Sequence, residues 1–295
     1  MIDPVTVADT AAYRGRFAPS PTGPLHAGSL VAALASFLDA RHHRGTWRVR
    51  IDDIDPPREA PGSKAAILSA LNAHGLAWDG DVEYQSSAAA RYERALATLA
   101  ERGLLFRCVC TRATLDAQGN CGQHCRDAII DDSRPHCLRV SATAMAVEGF
   151  TDRFLGPQPV NADTLPPDFI VRRRDGLFAY QLAAAVDDAL PHYTHVVRGA
   201  DLLDSSHRQR WLQRALGLAS PDYAHVAVMC DAEGNKLSKQ TGAPGLSPDR
   251  ARENIRISLA HLGQRPPPDS AKGVEDVLEH AIAHWAAPSM ATSVT

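Results

Sequence analysis

Two short segments, more than two hundred residues apart, carry side chains suited to the same chemistry. Residues 16–29 read RFAPSPTGPLHAGS, with prolines and glycines around His26. Gly28 lets a ligand come close to the backbone where a Cβ would obstruct it. If a helix starts here, its free amides, including that of Ser29, favour a phosphate, and His26 can donate to a phosphate oxygen. Residues 236–239 read Lys-Leu-Ser-Lys, in a turn-rich stretch. Lys236 and Lys239 can neutralise a triphosphate as charge develops on it, and a loop can close over a site. Taken singly, the first segment also reads as a turn with a structural histidine and the second as a solvated loop. Their pairing in one chain is what points to a nucleotide.

A third group is cysteinic. Cys108, Cys110, Cys121 and Cys125 are spaced C-x-C-x10-C-x3-C. Four thiolates close a tetrahedral shell around Zn²⁺ with no open position, which predicts one structural zinc. Cys137 and Cys230 are expected to be ordinary small buried groups.

The elements around these groups alternate. Residues 15–18 read as a short strand, 28–40 as a helix apolar nearly all round, and 47–51 as a second strand, the order of a parallel sheet with a crossover helix. Helices are predicted over 63–74 and 87–102, the second capped by Ser86 or Ser87 and stopped by Gly103. Residues 169–173 and 177–183 read as a hairpin running into a helix. A strand and turn follow at 195–203, a helix at 206–216 and a strand at 225–230. A helix should start at Ser247-Pro248 and end at Gly263, with a last helical segment in 270–287. The expected division is therefore a catalytic domain from 14–104 and 167–240, a cysteine-bearing insertion at 105–166, and a short helical region at 241–295.

Composition bounds the function. Of 295 residues, 44% are hydrophobic and 22% charged, which excludes wholesale disorder. A net charge of −3 excludes a uniformly basic binder, although Arg41, Arg44, Arg48 and Arg50, and Arg172–Arg174, cluster locally. No apolar run is long enough for a transmembrane helix and no leader is read at the start, so the expected location is the cytoplasm.

Taken in order, these motifs resemble class I aminoacyl-tRNA synthetases of the glutamyl/glutaminyl group. His26-Ala27-Gly28-Ser29 and Lys236-Leu237-Ser238-Lys239 are similar to the HIGH and KMSKS signatures of that class. Between them lie Arg50-Ile51-Asp52-Asp53-Ile54-Asp55, Ala179-Tyr180-Gln181-Leu182, Val186-Asp187-Asp188 and Val197-Arg198-Gly199-Ala200-Asp201. The stretches 54–59, 173–180 and 196–203 are especially similar to the glutamyl-Q tRNA(Asp) synthetases, and the resemblance runs from about residue 14 to 263. It implies an α/β fold: a Rossmann-like class I catalytic domain with a zinc-binding insertion and a reduced helical end. It implies that Arg16 meets the side-chain carboxylate of glutamate, that Ser20, Tyr180 and Arg198 complete the pocket, and that Asp52 holds the α-ammonium. The family has Glu at this last position, one methylene longer. It implies His26, Lys236 and Lys239 in catalysis, ATP on His26, Gly28, Ser29 and Lys239, and Mg²⁺ accompanying ATP. The implied partner is tRNA(Asp) carrying queuosine, engaged by a monomer. Only 55 residues follow Gln240, too few for the helical domains that read a distant anticodon. The alternatives are a truncated glutamyl-tRNA synthetase charging the tRNA 3′ end, a non-catalytic zinc-stabilised RNA-binding module, and a small-molecule adenylyl transferase.

Overall fold

The computed structural model describes residues 12–116, 119, 121, 123–131, 133–141, 147–160, 168–230, 234, 237 and 244–288. Strand β1 (Arg14–Phe17) pairs in parallel with β2 (Thr46–Ile51), and helix α1 (Ala27–His42) crosses between them. β2 pairs in parallel with the short β3 (Glu83–Tyr84), after helix α2 (Ser63–Ala73). Later in the chain, β9 (His195–Gly199) and β10 (Asp222–Val226) form a second parallel pair, connected by α6 (Leu203–Leu216). The two parallel groups meet where Thr194 N donates to Arg14 O at 2.8 Å and Arg14 N donates to Thr194 Oγ1 at 2.8 Å. The amino ends of β1 and β9 therefore lie side by side, and β1, β2 and β9 carry Arg16, Arg50 and Arg198 toward their carboxyl ends. The carboxyl ends of the strands are where open α/β sheets bind ligands.

The remaining strands are antiparallel. After α3 (Ala89–Glu101), β4 (Leu105–Cys108) pairs with β5 (Cys137–Ser141), which follows the short α4 (Gln123–Asp127). β6 (Phe150–Asp152) and β7 (Gly156–Gln158) make a hairpin. β8 (Asp168–Arg172), expected within the catalytic domain, hydrogen-bonds to β5, so this small sheet extends to Arg172. The turn at Arg173–Gly176 then returns the chain through an Arg172–Phe178 bridge into α5 (Tyr180–Asp188), as the hairpin reading expects.

α1 is buried from Leu30 to Ala40 except at Ala32, because sheet lies on one side and later helices on the other. Its apolar side chains share one core with Trp47, Val49, Ile51, Val197 and Val226. Ile255 and Leu259 of α7 (Ala251–His261) and Val277 and Leu278 of α8 (Val274–Ala283) belong to that same core. A second core joins Tyr92, Leu96, Val140, Phe169, Leu182 and Trp211, fastening the antiparallel sheet to α3, α5 and α6. A buried carboxylate links distant parts of the chain: Asp39 accepts from Tyr13 Oη, from Arg153 Nη1 and, at 3.0 Å, from Trp285 Nε1.

Several boundaries differ from expectation. α3 has no serine cap; Ser86 N and Oγ both donate to Asp53, at 2.8 Å, and the preceding turn is 3₁₀. The strand expected at 225–230 runs from 222 to 226, because the buried polar His225 belongs to it and the apolar residues after it leave the sheet. Cys230 is exposed rather than buried, whereas Cys137 is buried. Among the described residues no helix is long and apolar enough to cross a membrane.

Candidate active site

β1 delivers Arg16 into the interior, and the chain then turns through Pro19 and Pro21 toward α1. His26 is the N-cap of α1: its Nδ1 accepts from Ser29 N at 3.3 Å. That assigns the ring proton to Nε2, which lies 3.0 Å from Ser29 Oγ and points a donor at the helix start. The first turn of α1 holds no acidic side chain, so nothing there opposes an anion. A Cβ on Gly28 would lie 3.2 Å from Leu237 O and 3.2 Å from the His26 ring. Glycine therefore leaves room for Leu237 O beside the helix start. Leu237 N donates to Met229 O at 2.8 Å, and His26 bridges Gly245. Lys236 and Lys239, expected in catalysis, lie outside the described residues; their neighbour Leu237 stands beside Gly28.

Arg16, Asp52, Tyr180 and Arg198 line one cavity of about 210 Å³, together with His26 and Ser29. Ser20 lines an adjoining cavity of about 640 Å³, which shares Asp52, Tyr180 and Asp201 with the first. Four buried charges organise the floor. Asp188, at the end of α5, accepts from Arg16 Nε at 3.1 Å and Nη2 at 2.8 Å, and from Arg50 Nη1 at 2.8 Å. Arg50 Nε donates to Asp52 at 2.7 Å. The bidentate fork expected to grip a substrate carboxylate is thus engaged by Asp188, and Nη1 is the one Arg16 nitrogen without a hydrogen-bond partner among the described residues. Burial alone would raise the Asp188 carboxyl, but Arg16 and Arg50 outweigh it and hold the group well below the ordinary range. For Asp52 burial wins over Arg50, and its carboxyl is pushed up to about 6.

Arg50, which clusters in sequence with Arg41, Arg44 and Arg48, is 2% exposed and belongs to this floor. The alternation of a strand explains the pairing, since Arg50 and Asp52 point to the same face. The other basic residues are largely compensated: Arg41 pairs with Asp79, Arg48 with Glu83, Arg172 with Glu93 and Arg173 with Asp55. Asp53 and Asp55 serve as ion-pair partners, of Lys64 and Arg58 respectively.

The Sγ atoms of Cys108, Cys110, Cys121 and Cys125 lie within 4.8 Å of one another. Cys110 Sγ is 3.5 Å from Cys121 Sγ and 3.6 Å from Cys125 Sγ. A tetrahedral ion with metal–sulfur bonds of about 2.3 Å needs sulfurs about 3.8 Å apart, so the quartet fits one metal ion. Arg174 Nη2 donates to Val109 O at 2.9 Å and Cys110 O at 3.0 Å, tying the cysteine loop to the turn after β8.

Comparison with known proteins places this geometry. Residues 12–246 match the model for tRNA synthetases class I (E and Q), catalytic domain. A glutamyl-Q tRNA(Asp) synthetase of Klebsiella pneumoniae (strain 342) is 47% identical over 275 residues, covering 92% of this chain and 93% of the relative. One of Burkholderia cenocepacia is 49% identical over 267 residues, covering 85% and 88%. The crystal structure of a glutamate tRNA ligase from Elizabethkingia meningosepticum, in complex with its amino acid, superposes with a TM-score of 0.77 at 25% identity. That match covers 94% of this chain, which spans 65% of the ligase's length. The chain belongs to the class I tRNA synthetases of the E and Q type, in the group of the glutamyl-Q tRNA(Asp) synthetases.

Proposed function

We propose that the protein activates L-glutamate with ATP and transfers it to the queuosine base of tRNA(Asp). The observation that carries this reading is the gathering of Arg16, Asp52, Tyr180 and Arg198 around one cavity, with the phosphate-favouring start of α1 on its wall. Arg16 Nη1 and Arg198 receive the side-chain carboxylate, which a neutral amide would replace poorly. Asp52 takes the α-ammonium, and the α-carboxylate then faces His26. The carboxylate oxygen attacks the α-phosphorus of ATP, forming glutamyl-adenylate and releasing pyrophosphate. A ring hydroxyl of the base then attacks the acyl carbon, and AMP leaves. No side chain forms a covalent bond; His26 and Lys239 stabilise charge on the phosphoryl group and Lys236 orders its loop. Mg²⁺ carried with ATP neutralises phosphate oxygens. The larger cavity, bordered by Ser20 and Asp201, is the place for the incoming nucleotide.

Transfer of radiolabelled glutamate tests the acceptor. Label should enter tRNA(Asp) bearing queuosine, and should survive removal of the terminal adenosine. The same tRNA with guanosine at the wobble position should stay unlabelled. Label lost with the terminal adenosine, or efficient charging of tRNA(Glu), would assign the protein to 3′-end charging instead.

Asp52 gives a pH-dependent prediction. Its carboxyl must be ionised to hold an ammonium, so kcat/KM for glutamate should fall as the pH drops below about 6. Asp52→Asn should lower kcat/KM and abolish that limb, whereas Asp52→Glu should keep it. A pH profile of pyrophosphate exchange identical in the Asn variant would show that Asp52 does not hold the ammonium.

We further infer that the metal is zinc, structural in role and bound by Cys108, Cys110, Cys121 and Cys125. Purified protein should contain about one zinc per chain. Cys121→Ser should reduce retention and loosen the segment around β4 and β5, read by protease sensitivity. Protein purified without chelators and lacking zinc would reject the site.

A further inference from the structure

Each nitrogen of the Arg198 guanidinium has a protein partner, and Nη2 retains a second N–H for a ligand. Its Nη1 donates to Gln209 Oε1 at 2.8 Å, its Nη2 to Ser206 Oγ at 2.8 Å, and its Nε to His225 Nε2 at 3.2 Å. The third contact depends on a proton several ångströms away. Arg is a donor only, so His225 Nε2 must present a lone pair. The proton of the neutral ring then sits on Nδ1, which lies 2.6 Å from Asp152 Oδ2, an acceptor. Neither side chain of the His225–Asp152 pair is exposed, and burial pushes the imidazole below its ordinary range, which keeps it neutral. Asp152 is itself oriented by the backbone: Oδ1 accepts from Phe154 N at 3.0 Å, Leu155 N at 3.0 Å and His225 N at 3.2 Å. The two oxygens therefore have distinct duties.

We propose that Asp152 and His225 are positioning residues for amino-acid recognition: the β6–β7 turn sets the His225 tautomer, and the tautomer sets the aim of Arg198 at the glutamate pocket. The proposal rests on the assignment of Arg198 to glutamate made above. Its consequence is specific to a nearly isosteric change. In Asp152→Asn, three backbone N–H groups demand oxygen at the Oδ1 position, so the new amide nitrogen must occupy the Oδ2 position. It donates to His225 Nδ1, the ring proton moves to Nε2, and Arg198 Nε faces a donor instead of an acceptor. A carboxylate-to-amide change that inverts a histidine tautomer while preserving shape is the known hazard of such pairs.

Pyrophosphate exchange at varied glutamate and saturating ATP, with and without tRNA, gives the test. Asp152→Asn should raise KM for glutamate about tenfold, the scale of one hydrogen bond to a charged group, with KM for ATP unchanged. ¹⁵N-histidine NMR, with the resonance assigned by its absence in His225→Gln, should show the proton on Nδ1 in the parent and on Nε2 in the variant. His225→Gln, which can return an oxygen to Arg198 Nε, should bind glutamate better than His225→Asn, which is too short to reach. Arg198→Lys serves as the reference. Unchanged glutamate KM in Arg198→Lys would overturn the assignment of Arg198 itself. A raised KM there, with Asp152→Asn unchanged in KM or in tautomer, would overturn the relay alone. Equal impairment in the Gln and Asn variants of His225 would do the same should Asp152→Asn fail to fold.

Discussion

Asp188→Ala should lose about 3–5 kcal/mol of stability, measured by urea denaturation, and with it all glutamate activation. Removing this carboxylate leaves Arg16 and Arg50 facing each other inside the protein, both at most 4% exposed. Arg50 keeps Asp52, but Arg16 loses its ion-pair partner, and an uncompensated buried cation costs far more than the net worth of the pair itself. Asp188→Asn keeps one acceptor oxygen and should fall between parent and Ala. The pH dependence has a definite sign. Asp188 is depressed in the folded state, so the unfolded chain takes the proton first. Its contribution is present above about pH 4 and is lost as the pH falls below that. Asp52 has the opposite sign: raised to about 6 when folded, it contributes below about pH 4 and that contribution is lost as the pH rises through about 6. Stability of Asp188→Ala within about 1 kcal/mol of the parent would show that the arginines find other partners or water.

The second large effect is on rate. Lys239→Ala and His26→Ala should each lower glutamate-dependent pyrophosphate exchange about 10²–10³-fold, the scale for removing one donor from developing charge. His26 also caps α1, so its alanine variant should lose about 1 kcal/mol of stability as well. His26→Asn separates the two effects: asparagine caps well, so stability should return while exchange stays low. Exchange restored by Asn would mean that His26 acts only as a cap. Unchanged exchange in Lys239→Ala would remove that lysine from the mechanism.

Residues close together in sequence were the legible part of this site. His26, Gly28 and Ser29 announce a strand-to-helix junction because turn chemistry and helix capping are local. The four cysteines announce a metal site because ligand type and spacing are local too. The floor of the pocket was not legible. Arg16 and Asp188 are 172 positions apart and Arg50 and Asp188 are 138 apart, so no spacing connects them. In sequence Arg50 is one member of a basic cluster, and nothing in that cluster marks it as the buried one. His225 was hidden differently: HVAVMC reads as an apolar strand in which a histidine passes as a boundary residue, and its partner Asp152 sits on a strand of only three residues. Strands that short carry too little alternation to be recognised. The long helix α1 was visible as a run apolar nearly all round, and α7 by its Ser247-Pro248 start and Gly263 stop.

The contacts of Asp39 bear on how the chain matures during synthesis. The βαβ unit built from β1, α1 and β2 is synthesised more than two hundred residues before Trp285, which supplies one of the donors to its buried carboxylate. Ile255, Leu259, Val277 and Leu278, which cover α1, are also made more than two hundred residues after it. A nascent chain halted near residue 245 therefore carries an early helix with an apolar flank open to solvent. That chain should be chaperone-bound and protease-sensitive, and should become resistant only once the region through Trp285 is available. Protection acquired before that point would show that the first unit folds without its late cover.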